Sequence, residues 1–119
     1  MKIKVGTDII QISRVLDSTE RFGDKFLKRF LNEEEIQELK KVESIAGYWA
    51  AKEAIAKAFG CGIGKELSFL DIFIKKDSLN SPSFILSQEA QKKFNLQSSS
   101  LSISHDGNFA IAVAIVVLS

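Results

Sequence analysis

Apolar positions along the chain repeat with different periods in different segments, and the clearest segment is S44-I-A-G-Y-W-A-A-K-E-A-I-A-K-A-F-G60. Placed at helical intervals, Ile45, Tyr48, Trp49, Ile55, Ala56 and Phe59 fall on one broad arc, and alanines at 46, 50, 51, 54 and 58 cover much of the remainder. The pattern predicts a buried helix of about four turns, opened by Ser44 as N-cap and closed by Gly60. Lys52, Glu53 and Lys57 interrupt it, and a buried charge is expensive unless it is paired, hydrogen-bonded or metal-bound.

The other segments predict an α+β chain. Residues 2–10 alternate as a strand, with Ile3, Val5, Thr7 and Ile9 on one face and Lys4, Gly6, Asp8 and Ile10 on the other. Gly6 leaves room for backbone or ligand beside Asp8, or marks a bulge. Residues 13–31 read as helix, in one piece or bent near Gly23, followed by a short helix to about Lys41 with a capping box of Asn32 and Glu35. A strand over 67–75, a turn around Pro82, a short strand at 84–86 and a helix capped by Ser87 come next. The chain ends as a hairpin, 99–106 and 109–118, whose last strand is apolar on both faces and therefore central or covered on both sides.

Composition narrows the class. A chain of 119 residues, 45% hydrophobic and 26% charged, suits one globular domain over residues 1–119. The net charge of +1 gives no overall pull toward nucleic acid, and no aromatic and basic recognition motif is evident. The single cysteine, Cys61, excludes a disulfide framework within the chain and suits a reducing, cytoplasmic setting. The beginning, MKIKVGTDII, has only a short apolar run interrupted by Asp8, unlike a secretory signal, and the longest apolar run is too short to cross a bilayer as a helix.

Charge placement is more informative than charge total. If one helical phase runs from 13 to 31, Arg14, Arg21, Lys25 and Lys28 lie within about 60° of one another and Arg29 flanks them, which suits either a solvated face or a surface for an acidic or phosphate-bearing partner. The segment C-G-I-G-K-E after Gly60 lacks the first glycine and the Ser or Thr of a Walker A loop and follows a helix instead of opening one; it reads as a tight turn or as a loose nucleotide cradle. The tripeptide Ser104-His105-Asp106 is not a hydrolase triad, because successive strand residues face opposite ways. Asp8 and Glu53 can share a hard divalent cation if the first strand packs on the central helix, with Lys57 supporting a carboxylate or phosphate; a simple Glu53–Lys57 ion pair is the other reading. Lys52 has to reach water or find an acid.

Three segments, GTDIIQISRV at 6–15, WAAKEAIAKAFGCGIGKELSF at 49–69 and SISHDGNFAIAVA at 102–114, resemble in order and spacing the holo-[acyl-carrier-protein] synthases, the small bacterial class of 4'-phosphopantetheinyl transferases. The resemblance implies a fold with an antiparallel sheet against a long central helix. It also implies an enzyme of fatty-acid biosynthesis that moves the 4'-phosphopantetheine arm of coenzyme A onto a serine of apo acyl carrier protein, leaving adenosine 3',5'-bisphosphate. By the same resemblance Asp8 and Glu53 hold magnesium and Lys57 attends the pyrophosphate, these three being the catalytic set. Gly60, Gly62, Gly64 and Lys65 lie toward the adenosine of coenzyme A, and Ser104 and His105 near its phosphates. Arg14, Arg21, Lys25 and Lys28 face the acidic carrier protein, and the assembly is a homotrimer with active sites between adjacent subunits.

Three positions depart from the family pattern. Tyr48 stands where many relatives have arginine, Ser81 where many have lysine before the proline, and Asp106 where threonine is common. The first two remove positive charge, to be recovered from Lys65, Arg14 or a neighbouring subunit, and a carboxylate at Asp106 must face away from phosphate or cap the turn. A binding module that keeps the coenzyme A surface without turnover is the competing function.

Overall fold

The computed structural model describes residues 1–119. In chain order it comprises strand β1 (Lys2–Gln11), helices α1 (Ile12–Phe22), α2 (Asp24–Phe30), α3 (Glu33–Glu38) and α4 (Val42–Ala58), strands β2 (Ile72–Lys76) and β3 (Pro82–Leu86), helix α5 (Gln88–Phe94), and strands β4 (Leu96–Asp106) and β5 (Phe109–Leu118). The fold is α+β, with two antiparallel sheets rather than one: β1-β5-β4, and the hairpin β2-β3. The strand β5 is central, as its apolar sequence requires, but α4 covers only one of its faces. On the covered face Ala110, Ala112, Ala114 and Val116 are buried; on the other, Phe109, Ile111, Val113 and Ile115 are 36–43% exposed.

Small residues let the helix and sheet come together. In the β1–β5 register Gly6 lies opposite Ala114, on the helix side of the sheet, and a Cβ on Gly6 would fall 2.0 Å from the Ala54 carbonyl oxygen and 2.5 Å from the Ala58 nitrogen. Gly6 is therefore a close-approach glycine and not a bulge. The strand's apolar residues Ile3, Val5 and Ile9 consequently face outward.

The charged exception inside α4 is resolved by a buried knot. Lys52 is fully buried and spends its three protons on the Phe30 carbonyl (2.8 Å), Glu35 Oε1 (2.8 Å) and the Phe69 carbonyl (3.2 Å). Glu35, 2% exposed, also accepts from the Asn32 and Ile74 backbone N–H groups, each at 2.9 Å. The expected capping box is present, and its glutamate doubles as the partner of Lys52. Around the knot, the rings of Phe26, Phe30, Trp49 and Phe69 pack at centroid separations of 4.7–6.0 Å, joining α2 and α4 to the turn before β2.

Several boundaries differ from the sequence pattern. The helix α4 starts at Val42 with Lys41 at the N-cap, so Ser44 lies inside its first turn; Gly60 does close it, donating its N–H to the Lys57 carbonyl. The segment expected as a strand from 67 spends Phe69–Asp71 in a 3-10 turn, because Asp71 accepts from Ser68 N–H and caps that turn. The bend expected near Gly23 is real: its φ of 55° and ψ of −134° separate α1 from α2, so one helical phase does not run through the basic stripe.

Replacing Lys52 by methionine would strand the Glu35 carboxylate in the core, and we expect it to lower stability by about 3–5 kcal/mol. Urea unfolding at neutral pH measures this, and Glu35→Gln added to Lys52→Met should recover part of the loss; a Lys52→Met protein as stable as wild type would mean that the pair does not anchor the core.

Candidate active site

The geometry of β1 against α4 brings the carboxylates together. The strand's two-residue period puts Asp8 on the same side as Gly6, facing the helix. On α4, Trp49, Glu53 and Lys57 follow one another at four-residue spacing, so they form one stripe. Asp8, Glu53 and Lys57 all line a cleft of about 460 Å³, together with Arg14 and Ser18 of α1, Arg29 of α2 and an apolar wall that includes Phe26 and Trp49.

Lys57 Nζ donates to Asp8 Oδ1 at 2.9 Å. The alternative Glu53–Lys57 ion pair is not formed. Glu53 makes no side-chain hydrogen bond and no ion pair, and it is half-buried. Burial pushes its carboxyl pKa above the ordinary glutamate value, the Asp8 carboxylate adds to that rise, and the Lys57 ammonium opposes it. Glu53 is thus a partly desolvated carboxylate beside a second one and without a bonded partner of its own, while Arg14 and Arg29 bring further positive charge to the cleft.

Two carboxylates suit a magnesium ion, which takes few protein ligands and completes its shell with waters and phosphate oxygens. No cluster of three or more His, Cys, Asp or Glu side chains is poised to hold a metal, so the pair is the whole acidic donor set.

The other residues singled out from sequence lie elsewhere. None of Gly60, Gly62, Gly64 and Lys65 lines the cleft; they form the turn after α4, in which Gly62 N–H returns to the Ala56 carbonyl and Gly64 N–H donates to the Leu67 carbonyl. Ser104 and His105 line a separate cavity with Tyr48, Lys41 and Lys76, near where Ile103 packs on Gly47. Asp106 pairs with Phe109 at the hairpin end and does not line that cavity. Arg14 reaches the cleft, whereas Arg21, Lys25 and Lys28 are exposed on α1 and α2, with Arg21 3.7 Å from Asp17. Arg29, the flank of the basic stripe in the sequence, lines the cleft instead; sequence reasoning missed Ser18, Lys41 and Lys76, since lysine pairs such as Lys75-Lys76 look like ordinary solvated strand ends and only the tertiary fold sets Lys76 at a cavity with His105.

Known proteins share this architecture. Residues 4–114 match the 4'-phosphopantetheinyl transferase superfamily. A holo-[acyl-carrier-protein] synthase of Sulfurovum sp. is 62% identical over 114 residues, covering 96% of each chain. The crystal structure of Helicobacter pylori holo-[acyl-carrier-protein] synthase in complex with coenzyme A superposes with a TM-score of 0.92 at 53% identity, over 95% of this chain and 99% of that one. The Bacillus anthracis synthase in complex with CoA (3',5'-ADP) superposes with a TM-score of 0.79 at 41% identity, over 98% and 96%. Fold, length and order of motifs agree throughout, and the chain belongs to the holo-[acyl-carrier-protein] synthase family of 4'-phosphopantetheinyl transferases.

Proposed function

We propose that the chain transfers 4'-phosphopantetheine from coenzyme A to a serine of apo acyl carrier protein in the cleft between β1, α1 and α4, with Asp8 and Glu53 holding one magnesium ion. The observation that carries the site assignment is the meeting of Asp8, Glu53 and Lys57 in one cleft of a chain from this family. The serine hydroxyl attacks the phosphorus that bears the pantetheine arm, and the P–O bond to adenosine 3',5'-bisphosphate breaks. A magnesium ion, which Asp8 and Glu53 would hold, would supply positive charge to the pyrophosphate. Lys57 adds its ammonium on the same side, Arg14 lies within the cleft to orient phosphate, and Glu53 or a water beside it takes the serine proton. Asp8 holds Lys57 in place through their 2.9 Å contact.

The carrier protein docks on the exposed Arg21, Lys25 and Lys28 with Arg14 at the cleft edge, where complementary charge steers an acidic partner. The glycine turn with Lys65, and Ser104 with His105, serve coenzyme A. Both lie outside the cleft within one chain, which suits a site completed by an adjacent subunit. An assembly is supported by the outer face of β1 and β5, where Ile3, Val5, Ile9, Phe109, Ile111, Val113 and Ile115 form an uncovered apolar sheet, and we read that assembly as a homotrimer. No helix is long and apolar enough to cross a membrane; we place the enzyme in the cytoplasm, within fatty-acid biosynthesis.

Four outcomes follow from these assignments. Mass spectrometry of apo carrier protein incubated with coenzyme A and magnesium should show gain of the pantetheine arm, falling about 100-fold or more with Glu53→Gln; transfer undiminished in that variant would remove Glu53 from the mechanism. Stability should move the opposite way. Because the folded pKa of Glu53 lies above its unfolded value, stability falls as pH rises through that window, so at pH 8 with chelator Glu53→Gln should melt about 1–2 °C higher.

Reversing charge in Arg21→Glu/Lys28→Glu should weaken carrier binding about tenfold and leave coenzyme A affinity unchanged; equal loss of both would argue against a dedicated docking face. A lysine in place of Val113 on the outer sheet face should turn the assembly into monomers by light scattering and abolish transfer; an intact, active oligomer would place the interface elsewhere.

A further inference from the structure

The start of α1 is held by a residue that the sequence places near the other end of the chain. Gln11, at the N-cap, makes no side-chain hydrogen bond to the helix, and no acidic residue occupies the first turn. Arg14 stands in that turn instead, a cation where a helix exposes unpaired N–H groups and favours negative charge. Left to itself, such a turn frays.

Asn108 supplies what is missing. Its backbone carbonyl accepts from Ile12 N–H at 2.8 Å and its Oδ1 from Ser13 N–H at 2.9 Å, while its Nδ2 donates to Ser13 Oγ at 2.9 Å. The side-chain bonds close across 95 positions of sequence. The sheet arranges the meeting: Gln11 lies opposite Phe109 at the end of the β1–β5 ladder, so the residue before Phe109 meets the residue after Gln11. Gly107, with φ of 57°, lets β4 turn into β5 through two residues, itself and Asn108.

Both side-chain bonds are exposed, so water competes for them and the core does not depend on them. The buried Ile12 and Val15 keep α1 on the core. What the asparagine fixes is the direction of the first turn as it leaves β1, and with it Arg14, which lines the cleft with Asp8, Glu53 and Lys57. We infer that Asn108 is a positioning residue for the transfer: from the β4–β5 turn it caps α1 and holds Arg14 in place at the cleft. The inference rests on the transferase reading, in which Arg14 orients phosphate.

Transfer kinetics with apo acyl carrier protein, coenzyme A and magnesium, read together with amide hydrogen exchange, test it. Asn108→Ala should lower kcat/KM about tenfold and speed exchange at the Ser13 amide, whose acceptor it removes. Asn108→Asp keeps that acceptor, suits a helix N-terminus and should restore most of the rate. In an Arg14→Ala background the Asn108→Ala change should cost less than about twofold, because the residue it positions is gone. Ser87→Ala, which removes the side-chain cap of α5 away from the cleft, should lower the melting temperature and leave kcat/KM unchanged. Wild-type kinetics in Asn108→Ala, a loss that persists in full without Arg14, or an equal loss in Ser87→Ala would overturn the inference and leave the transferase reading intact. Absence of transfer by the wild type would overturn both.

Discussion

The approach of β1 to α4 at Gly6 sets the distance on which the site depends. With the Ala54 carbonyl where a Cβ of Gly6 would be, no other residue at position 6 allows the strand to lie this close. Two residues on, the same strand face presents Asp8, and the residues immediately before Ala54 and Ala58 in α4 are Glu53 and Lys57. The alanines of α4 and β5 belong to the same constraint, since their small size makes the close seam continuous across the sheet.

The helix that carries Glu53 is itself located by the preceding residue, through an unrelated use of charge. Lys52 ties α4 to the carbonyls of Phe30 and Phe69 and to Glu35, so α2, α3, the turn before β2 and the helix meet at one ammonium. Burial lowers the Lys52 pKa and the Glu35 carboxylate opposes that change, the balance expected of a desolvated but fully hydrogen-bonded pair. Adjacent residues of one helix thus divide structural and chemical work by the 100° between them: Lys52 points into the core with every donor satisfied, and Glu53 points into the cleft with no partner.

The partition of cations follows the same economy. Lys57 is taken by Asp8 in the cleft, Lys52 by the core and Arg21 by a neighbour on its own helix, whereas Lys41 and Lys76 remain unpaired at the opposite end of α4. The long helix therefore borders two cavities, one with Asp8 and Glu53 beside Lys57, Arg14 and Arg29, the other lined by Lys41, Lys76 and His105.

How much of this was legible beforehand varies with the range of the interactions involved. The α+β class, the buried helix and its closure at Gly60, the Asn32–Glu35 box, the break at Gly23 and the centrality of β5 follow from local periodicity and capping, which the chain carries in adjacent residues. The motif resemblance likewise singled out Asp8, Glu53, Lys57 and His105. Contacts between residues distant in sequence decided the rest. That Lys57 pairs with Asp8 and not with Glu53 depends on a strand 49 positions away, and the partner of Lys52 lies 17 positions back. The division into two sheets, the outward apolar face of β1 and the gathering of Lys41 and Lys76 with His105 likewise exist only once α4 has crossed the sheet. Periodicity identifies which faces can be buried, but the steric fit of Gly6 against Ala54 determines which face is.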